Sequence, residues 1–152
     1  MDDLATRLER LENESALTRL VYNYCHGIDG HDLERFLNIW SVDAIWDVGP
    51  PLGKCTGITE IQKGLSEGVW PAFQASQHST TNLVLDIDGD KARGLSNVTF
   101  QGVGVDGNAI MVASTYRDRF SRRDGRWYLT ERLTDFHHSA PLLDVSLPSA
   151  GG

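Results

Sequence analysis

The run YNYCHGID, Tyr22 to Asp29, closes a helical pattern with two phenols, a thiol, an imidazole and a carboxylate. At about 100° per residue, Leu17, Leu20, Val21, Tyr24, Cys25 and Ile28 fall on one arc of that helix. Tyr24 lies near the middle of the arc and Asp29 at its edge. His26 falls on the opposite side, with Arg19 and Asn23. Tyr24 and Asp29 can therefore face an interior space, and His26 faces solvent. A carboxylate in the last helical turn sits beside the negative end of the helix dipole, so Asp29 calls for a cationic or hydrogen-bond-donating partner. The best candidate is His78, which opens a β-rich run among Ser76, Gln77, Ser79 and Thr80. A carboxylate-oriented imidazole can do general acid–base chemistry. Each residue also has an ordinary structural reading: an inward Tyr as core, an Asp as a cap, a His as a structural strand residue.

A cation enters from the last β-like run, WYLTERLTDFHH. In strict alternation Tyr128, Thr130, Arg132, Thr134 and Phe136 share one face, and Trp127, Leu129, Glu131 and Leu133 the other. An arginine among Tyr, Thr and Phe suits a mixed polar and aromatic pocket wall. Its alternative is a surface ion pair with Glu131 or Asp135. Tyr128, Thr134 and Phe136, with Trp40 from the third helix, are the expected substrate-facing side chains. His137 and His138 are adjacent and point to opposite faces, so they cannot form a metal pair. No P-loop, no GxGxxG after a strand, no HExxH and no GxSxG is present. No metal and no organic cofactor is expected.

These residues need elements to position them. Leu4, Leu8 and Leu11 mark a short amphipathic helix, and Ser15 can cap a second that runs to Ile28, with Gly30 as a left-handed C-cap. Asp32 can cap a third helix through Leu33, Phe36, Leu37 and Trp40. DAIWDVG reads as a strand and GPPLGKCTG as a loop. Thr59 can cap a helix that runs to about Trp70, where Pro71 ends it. From His78 onward three Asp-Gly turns separate four β-like segments, a meander signal. Gly94, Gly102 and Gly104 are candidate kinks. Helices followed by an antiparallel meander make an α+β domain over 1–145, with a loose tail over 146–152. The 152 residues carry a formal net charge of −7 and are 40% hydrophobic. That balance gives a folded core and argues against nucleic-acid and anionic-membrane partners. Two cysteines without metal or CxxC spacing read as free thiols of a reducing, cytoplasmic compartment. The charged N-terminus lacks an apolar signal-peptide core.

Tyr24-x4-Asp29, then DLERFLNIWSVDAIW, then His78-x3-Asn82-Leu83 on a strand, then RRDGRWYLTER resembles the SnoaL-like group of the nuclear-transport-factor-like proteins. The resemblance runs from about Leu17 to Pro141. It implies a cone-shaped α+β barrel, with N-terminal helices packed on a strongly curved, mostly antiparallel sheet. Asp29, His78 and Arg132 match the Asp-paired His and nearby Arg of the hexachlorocyclohexane dehydrochlorinases, but Tyr24 stands where that family has a lysine. Tyr24, Asp29, His78 and Arg132 all match the bile acid 7α-dehydratases. Scytalone dehydratases add a second strand histidine, and none lies between Asn97 and Gly107. The resemblance implies a cofactor-independent lyase, dehydratase or dehydrohalogenase, acting on a small, apolar, cyclic molecule. In that reading His78 is the base, Asp29 orients it, and Tyr24 and Arg132 meet the leaving group; Arg132 could instead hold Asp29. The alternatives are an isomerase or cyclase, or a binding module such as the small subunit of a ring-hydroxylating dioxygenase. A homo-oligomer is expected, trimer before dimer.

Overall fold

In the computed structural model, which describes residues 3–147, Asp3 caps the first helix by accepting from the Thr6 N–H at 2.8 Å. Helix α1 (Leu4–Asp29) then runs unbroken for 26 residues. Two helices are expected here and one is found: Ser15 is an exposed mid-helix residue, not a cap. Nothing between Leu11 and Leu17 is Gly or Pro, so the backbone has no reason to stop. What changes is the apolar face. Leu4, Leu8 and Leu11 are exposed, whereas Leu17, Val21, Tyr24 and Ile28 are buried.

Gly30 ends α1 with φ of −85°, so it is not the left-handed cap; His31 takes that role with φ of 53°. A Cβ at residue 30 would lie 2.7 Å from the His26 carbonyl oxygen, which accounts for the glycine by crowding. Asp32 caps α2 (Leu33–Leu37) by accepting from the Arg35 N–H at 3.0 Å. The strand expected at Asp43 begins earlier, as β1 (Trp40–Asp47). The segment read as a loop contains a short strand, β2 (Lys54–Thr56), antiparallel to β1. Thr59 does not cap α3 (Ile58–Lys63); Gly57 stands at the cap and makes no side-chain bond. The helix continues as a π-helical turn (Gly64–Val69) and a 3-10 turn (Trp70–Ala72), where Pro71 ends it.

The four β-rich segments become β3 (Phe73–Asp88), β4 (Lys91–Gly104), β5 (Ala109–Arg123) and β6 (Arg126–Leu142). Each pairs antiparallel with the next. Gly89, Gly107 and Gly125 take positive φ at the three turns, which is why the Asp-Gly signal is informative. Strand β1 joins β6 in parallel, giving one sheet in the order β2-β1-β6-β5-β4-β3. The sheet is curved, α+β and mostly antiparallel, with the helices packed on its inner face. Register breaks fall at Phe73/Ala75, Thr81/Val84, Ala113/Ser114 and Arg119/Phe120, and such bulges bend strands. Gly94 and Gly102 stay in regular register; they make room for the Phe120 ring and for Phe73 and Phe100. Ser146 and Leu147 carry no regular structure, and the rest of the tail, 148–152, lies outside the described residues.

Between α1, α2 and the sheet lies an aromatic core of Tyr24, Phe36, Trp40 and Trp46. Helix α2 approaches α1 so closely that a Cβ on Gly27 would stand 2.8 Å from the Phe36 nitrogen. Gly27→Ala must therefore displace α2. The expected loss is about 1–3 kcal/mol by denaturant titration, the usual cost of overpacking; an unchanged midpoint would contradict this packing.

Candidate active site

Asp29 is the last residue of α1, and one strand supplies all its partners. Its Oδ1 accepts from the Ser76 hydroxyl at 2.8 Å and lies 2.7 Å from His78 Nδ1. Its Oδ2 accepts from the His78 backbone N–H at 2.6 Å. Strand β3 is the sheet edge, so this N–H would otherwise point away from any strand partner. Burial pushes the Asp29 pKa up, but the His78 and Ser76 hydrogen bonds and the His78 charge outweigh it and hold the carboxyl below 3.8. An ionised carboxylate at Nδ1 holds a proton there, and in the neutral imidazole the lone pair is then on Nε2. Among the described residues Nε2 has no hydrogen-bond partner. The imidazole is 8% exposed, edge-on to Tyr24 at 5.9 Å and tilted against Phe100 at 4.9 Å.

Trp70 holds the same helix end through the helix backbone. Its indole N–H donates to the Ile28 carbonyl at 2.9 Å, and its ring stacks on His31 at 4.7 Å. A groove of about 590 Å³ opens beside the pair, lined by Tyr22, Cys25, His26, Asp29, Ser76, Gln77, His78 and Thr80. His26 stands exposed on its rim, as the helical wheel predicts.

Arg132 lies deeper and is fully buried. It is not bonded to Asp29 and not paired at the surface. It forms a two-pronged ion pair with Asp118, Nε to Oδ1 at 2.8 Å and Nη2 to Oδ2 at 2.7 Å. Glu131 and Asp135 pair with Arg119 and Arg117 instead. The guanidinium is sandwiched between the rings of Tyr24 and Tyr116, 4.2 and 4.1 Å from their centroids. Burial works against its charge, but Asp118 raises its pKa above the ordinary value. The Tyr24 hydroxyl accepts from Trp46 Nε1 at 3.2 Å. Burial, opposed by Arg132 and by Trp46, pushes the Tyr24 phenol up to about 12, so it keeps its proton at neutral pH. Arg132 Nη1, Thr134 Oγ1 and Trp40 Nε1 are buried without a hydrogen-bond partner among the described residues.

The face assignment on β6 needs correction. Thr130 is the extra residue opposite the Arg119–Phe120 step, and it reverses the alternation. Trp127, Leu129 and Arg132 are therefore inward, followed by Thr134 in regular register. Tyr128 lies on the other face, against the Arg126 guanidinium at 4.8 Å, and is not brought to the cluster. Phe136 is 53% exposed at the far end of the same row as Arg132 and Thr134. Trp40 is core, packed on Tyr24 and Phe36. Asp118, Tyr116, Ser76 and Trp70 are the neighbours that sequence reasoning missed. Asp118 had a signal: in YRDRF it alternates with Tyr116 and Phe120, and a carboxylate on an apolar face demands a cation. Among the described residues no three His, Cys, Asp or Glu side chains cluster for a metal, and both cysteines are free. No described helix is long and apolar enough to cross a membrane.

Residues 9–133 match the SnoaL-like domain family. The chain is 29% identical over 146 residues to hexachlorocyclohexane dehydrochlorinase 1 of Sphingobium indicum, covering 95% of this chain and 94% of that protein. The crystal structure of a type 2 hexachlorocyclohexane dehydrochlorinase (LinA) superposes with a TM-score of 0.88 at 26% identity, covering 95% of this chain and 99% of that one. A scytalone-dehydratase-like protein of Novosphingobium aromaticivorans superposes with a TM-score of 0.79 over 94% of this chain and 97% of its own, and at 18% identity it supports the fold alone. With its helices on a curved six-stranded sheet and a family match over most of its length, this chain belongs to the SnoaL-like domain family, on the nuclear-transport-factor-like fold.

Proposed function

We propose that this protein is a cofactor-independent lyase that eliminates HX from a small, apolar, cyclic substrate, with X a halide first and a hydroxyl second. The observation that carries the reading is the 2.7 Å contact of Asp29 with His78 Nδ1. It stands in a chain related over nearly its whole length to hexachlorocyclohexane dehydrochlorinases.

In this mechanism Nε2 of His78 takes a proton from a substrate carbon. The electron pair of the C–H bond becomes the new π bond, and the C–X bond breaks with its electrons leaving on X. Asp29 keeps the Nδ1 proton in place and stabilises the imidazolium as it forms. The free Nη1 of Arg132 meets the charge developing on X, and Tyr24 donates a hydrogen bond or proton where X is oxygen. Asp118 is a positioning residue: it fixes the guanidinium so that Nη1 is left over. Thr134 and Phe136 lie along the same row of the sheet and are the proposed substrate-facing side chains, with Trp40 as backing.

A positioned base supplies about 10²–10⁴-fold in rate. His78→Ala is expected to lose that much kcat/KM on a polychlorinated cyclohexane, assayed by chloride release, while its circular dichroism stays that of the wild type. Retained activity in His78→Ala would refute the base. Asp29→Asn should also slow the reaction, because an amide keeps the shape and cannot stabilise an imidazolium.

Tyr24→Phe separates leaving groups. It should cost a large factor on a cyclic alcohol and little on the matched halide, since halide needs no proton to leave; equal losses would reduce Tyr24 to a packing role.

The lowered Asp29 pKa fixes a stability prediction. A carboxyl whose folded pKa lies below its unfolded value contributes stability that is complete above the unfolded value, near 3.8, and is lost as pH falls through the folded value. The gap in thermal midpoint between wild type and Asp29→Asn should therefore be widest near neutral pH and shrink below about pH 4. A gap that widens on acidification would be inconsistent with an ionised, hydrogen-bonded Asp29.

A further inference from the structure

Trp46 and Arg132 are register partners on the parallel strands β1 and β6. Both are fully buried and both meet Tyr24. Arg132 covers the phenol ring, 4.2 Å from its centroid, and Trp46 Nε1 lies 3.2 Å from the hydroxyl. The two contacts have the same polarity. An indole N–H and a guanidinium donate and cannot accept. The Tyr24 oxygen therefore accepts from Trp46, and its own proton can go to neither neighbour. Of the side chains whose rings pack on Tyr24, only His78 and Tyr116 carry an atom that could take that proton. The two phenols are not equivalent. Burial raises both pKa values; at Tyr24 it is opposed by Arg132, Trp46 and Tyr116, whereas at Tyr116 the neighbouring Tyr24 adds to it. Tyr24 is the readier proton donor of the two, which leaves the His78 side for its O–H. The imidazole stands edge-on there, 5.9 Å from the phenol ring.

We propose that Trp46 is a positioning residue for the proton donor: its indole N–H fills an acceptor site on the Tyr24 oxygen and so aims the phenol O–H at an oxygen leaving group beside His78. This rests on the lyase reading above and adds to it the group that sets the direction of the second proton transfer. Where X is hydroxyl, His78 Nε2 takes the proton from carbon, the C–H pair becomes the π bond, and the C–O bond breaks as Tyr24 gives its proton to the departing oxygen. Water leaves. The phenolate is stabilised by the Trp46 N–H and by Arg132 until the proton on His78 restores it. Substrate has then lost one water, and the protein is unchanged. Trp46 thus acts twice, turning the hydroxyl before transfer and donating to the phenolate after it. A halide leaves as an anion and needs neither.

Kinetics on a matched cyclic alcohol and cyclic halide test this. Trp46→Phe should lower kcat on the alcohol about three- to tenfold, the worth of one hydrogen bond, with KM little changed, and should cost much less on the halide. Added to Tyr24→Phe, it should cost nothing further on the alcohol, because the hydroxyl it aims is gone. If Trp46→Phe does not fold, benzothienylalanine at position 46 keeps the bicyclic shape and removes only the donor. A second readout needs no turnover. In protein isotope-labelled at tryptophan, the Trp46 indole N–H resonance, assigned by its loss in Trp46→Phe, should move in Tyr24→Phe. Equal losses on alcohol and halide, a loss that adds in full to that of Tyr24→Phe, or an indole resonance indifferent to Tyr24→Phe would overturn the proposal. So would a wild type that turns over the halide and not the alcohol. A wild type that turns over neither would defeat the lyase reading itself, and the role of Trp46 with it.

Discussion

Three hydrogen bonds from one strand to one carboxylate join the helical half of this fold to its sheet. Asp29 sits where a carboxylate is disfavoured, in the last turn of a 26-residue helix. Ser76 and both donors of His78 offset that cost, and in doing so they tie the end of α1 to the edge strand. The same contacts satisfy a backbone donor at an otherwise open sheet edge and set the tautomer of the imidazole. Trp70 donates to the Ile28 carbonyl one residue earlier, so two segments hold the helix end. Structure and proposed chemistry thus rest on the same few atoms.

Behind the pair, the interior is polar at its centre. A buried guanidinium and carboxylate, 2.7–2.8 Å apart at two points, lie between two phenol rings. A buried pair of this kind is weak evidence for stability, because desolvation absorbs most of the Coulomb gain. What it gives is direction. Asp118 uses Nε and Nη2 and leaves Nη1 over, and Tyr24 is fixed by Trp46 on one side and Arg132 on the other. Each aromatic in this cluster either packs a polar group or orients one.

Much of this was legible in the residues. The three Asp-Gly turns locate the meander because only positive-φ residues close such hairpins. The helical wheel separates His26 from Tyr24 because burial on α1 follows the 3.6-residue period there. Two features hid from the pattern. The single α1 reads as two helices because its apolar stripe changes sides, and periodicity reports faces, not backbone continuity. The faces of β6 do not follow strict alternation because the bulge at Thr130 has no residue signature, and one extra residue reverses every side chain beyond it. Alternation alone therefore groups Arg132 with Tyr128, whereas it lies with Leu129. Asp118 was within reach, as a charge alternating with aromatics. Ser76 and Trp70 were not, because a hydroxyl and an indole are ordinary at such positions.

In the proposed mechanism the Asp29-held imidazole removes a proton from carbon. The most direct measurement is the rate of elimination from a cyclic halide carrying deuterium at the abstracted position, in wild type and in His78→Gln, under single-turnover conditions. The expected result is slower elimination of the deuterated substrate by the wild type and near-complete loss of the reaction in the variant. Full activity in His78→Gln, with the same sensitivity to deuterium, would place the base elsewhere and contradict it.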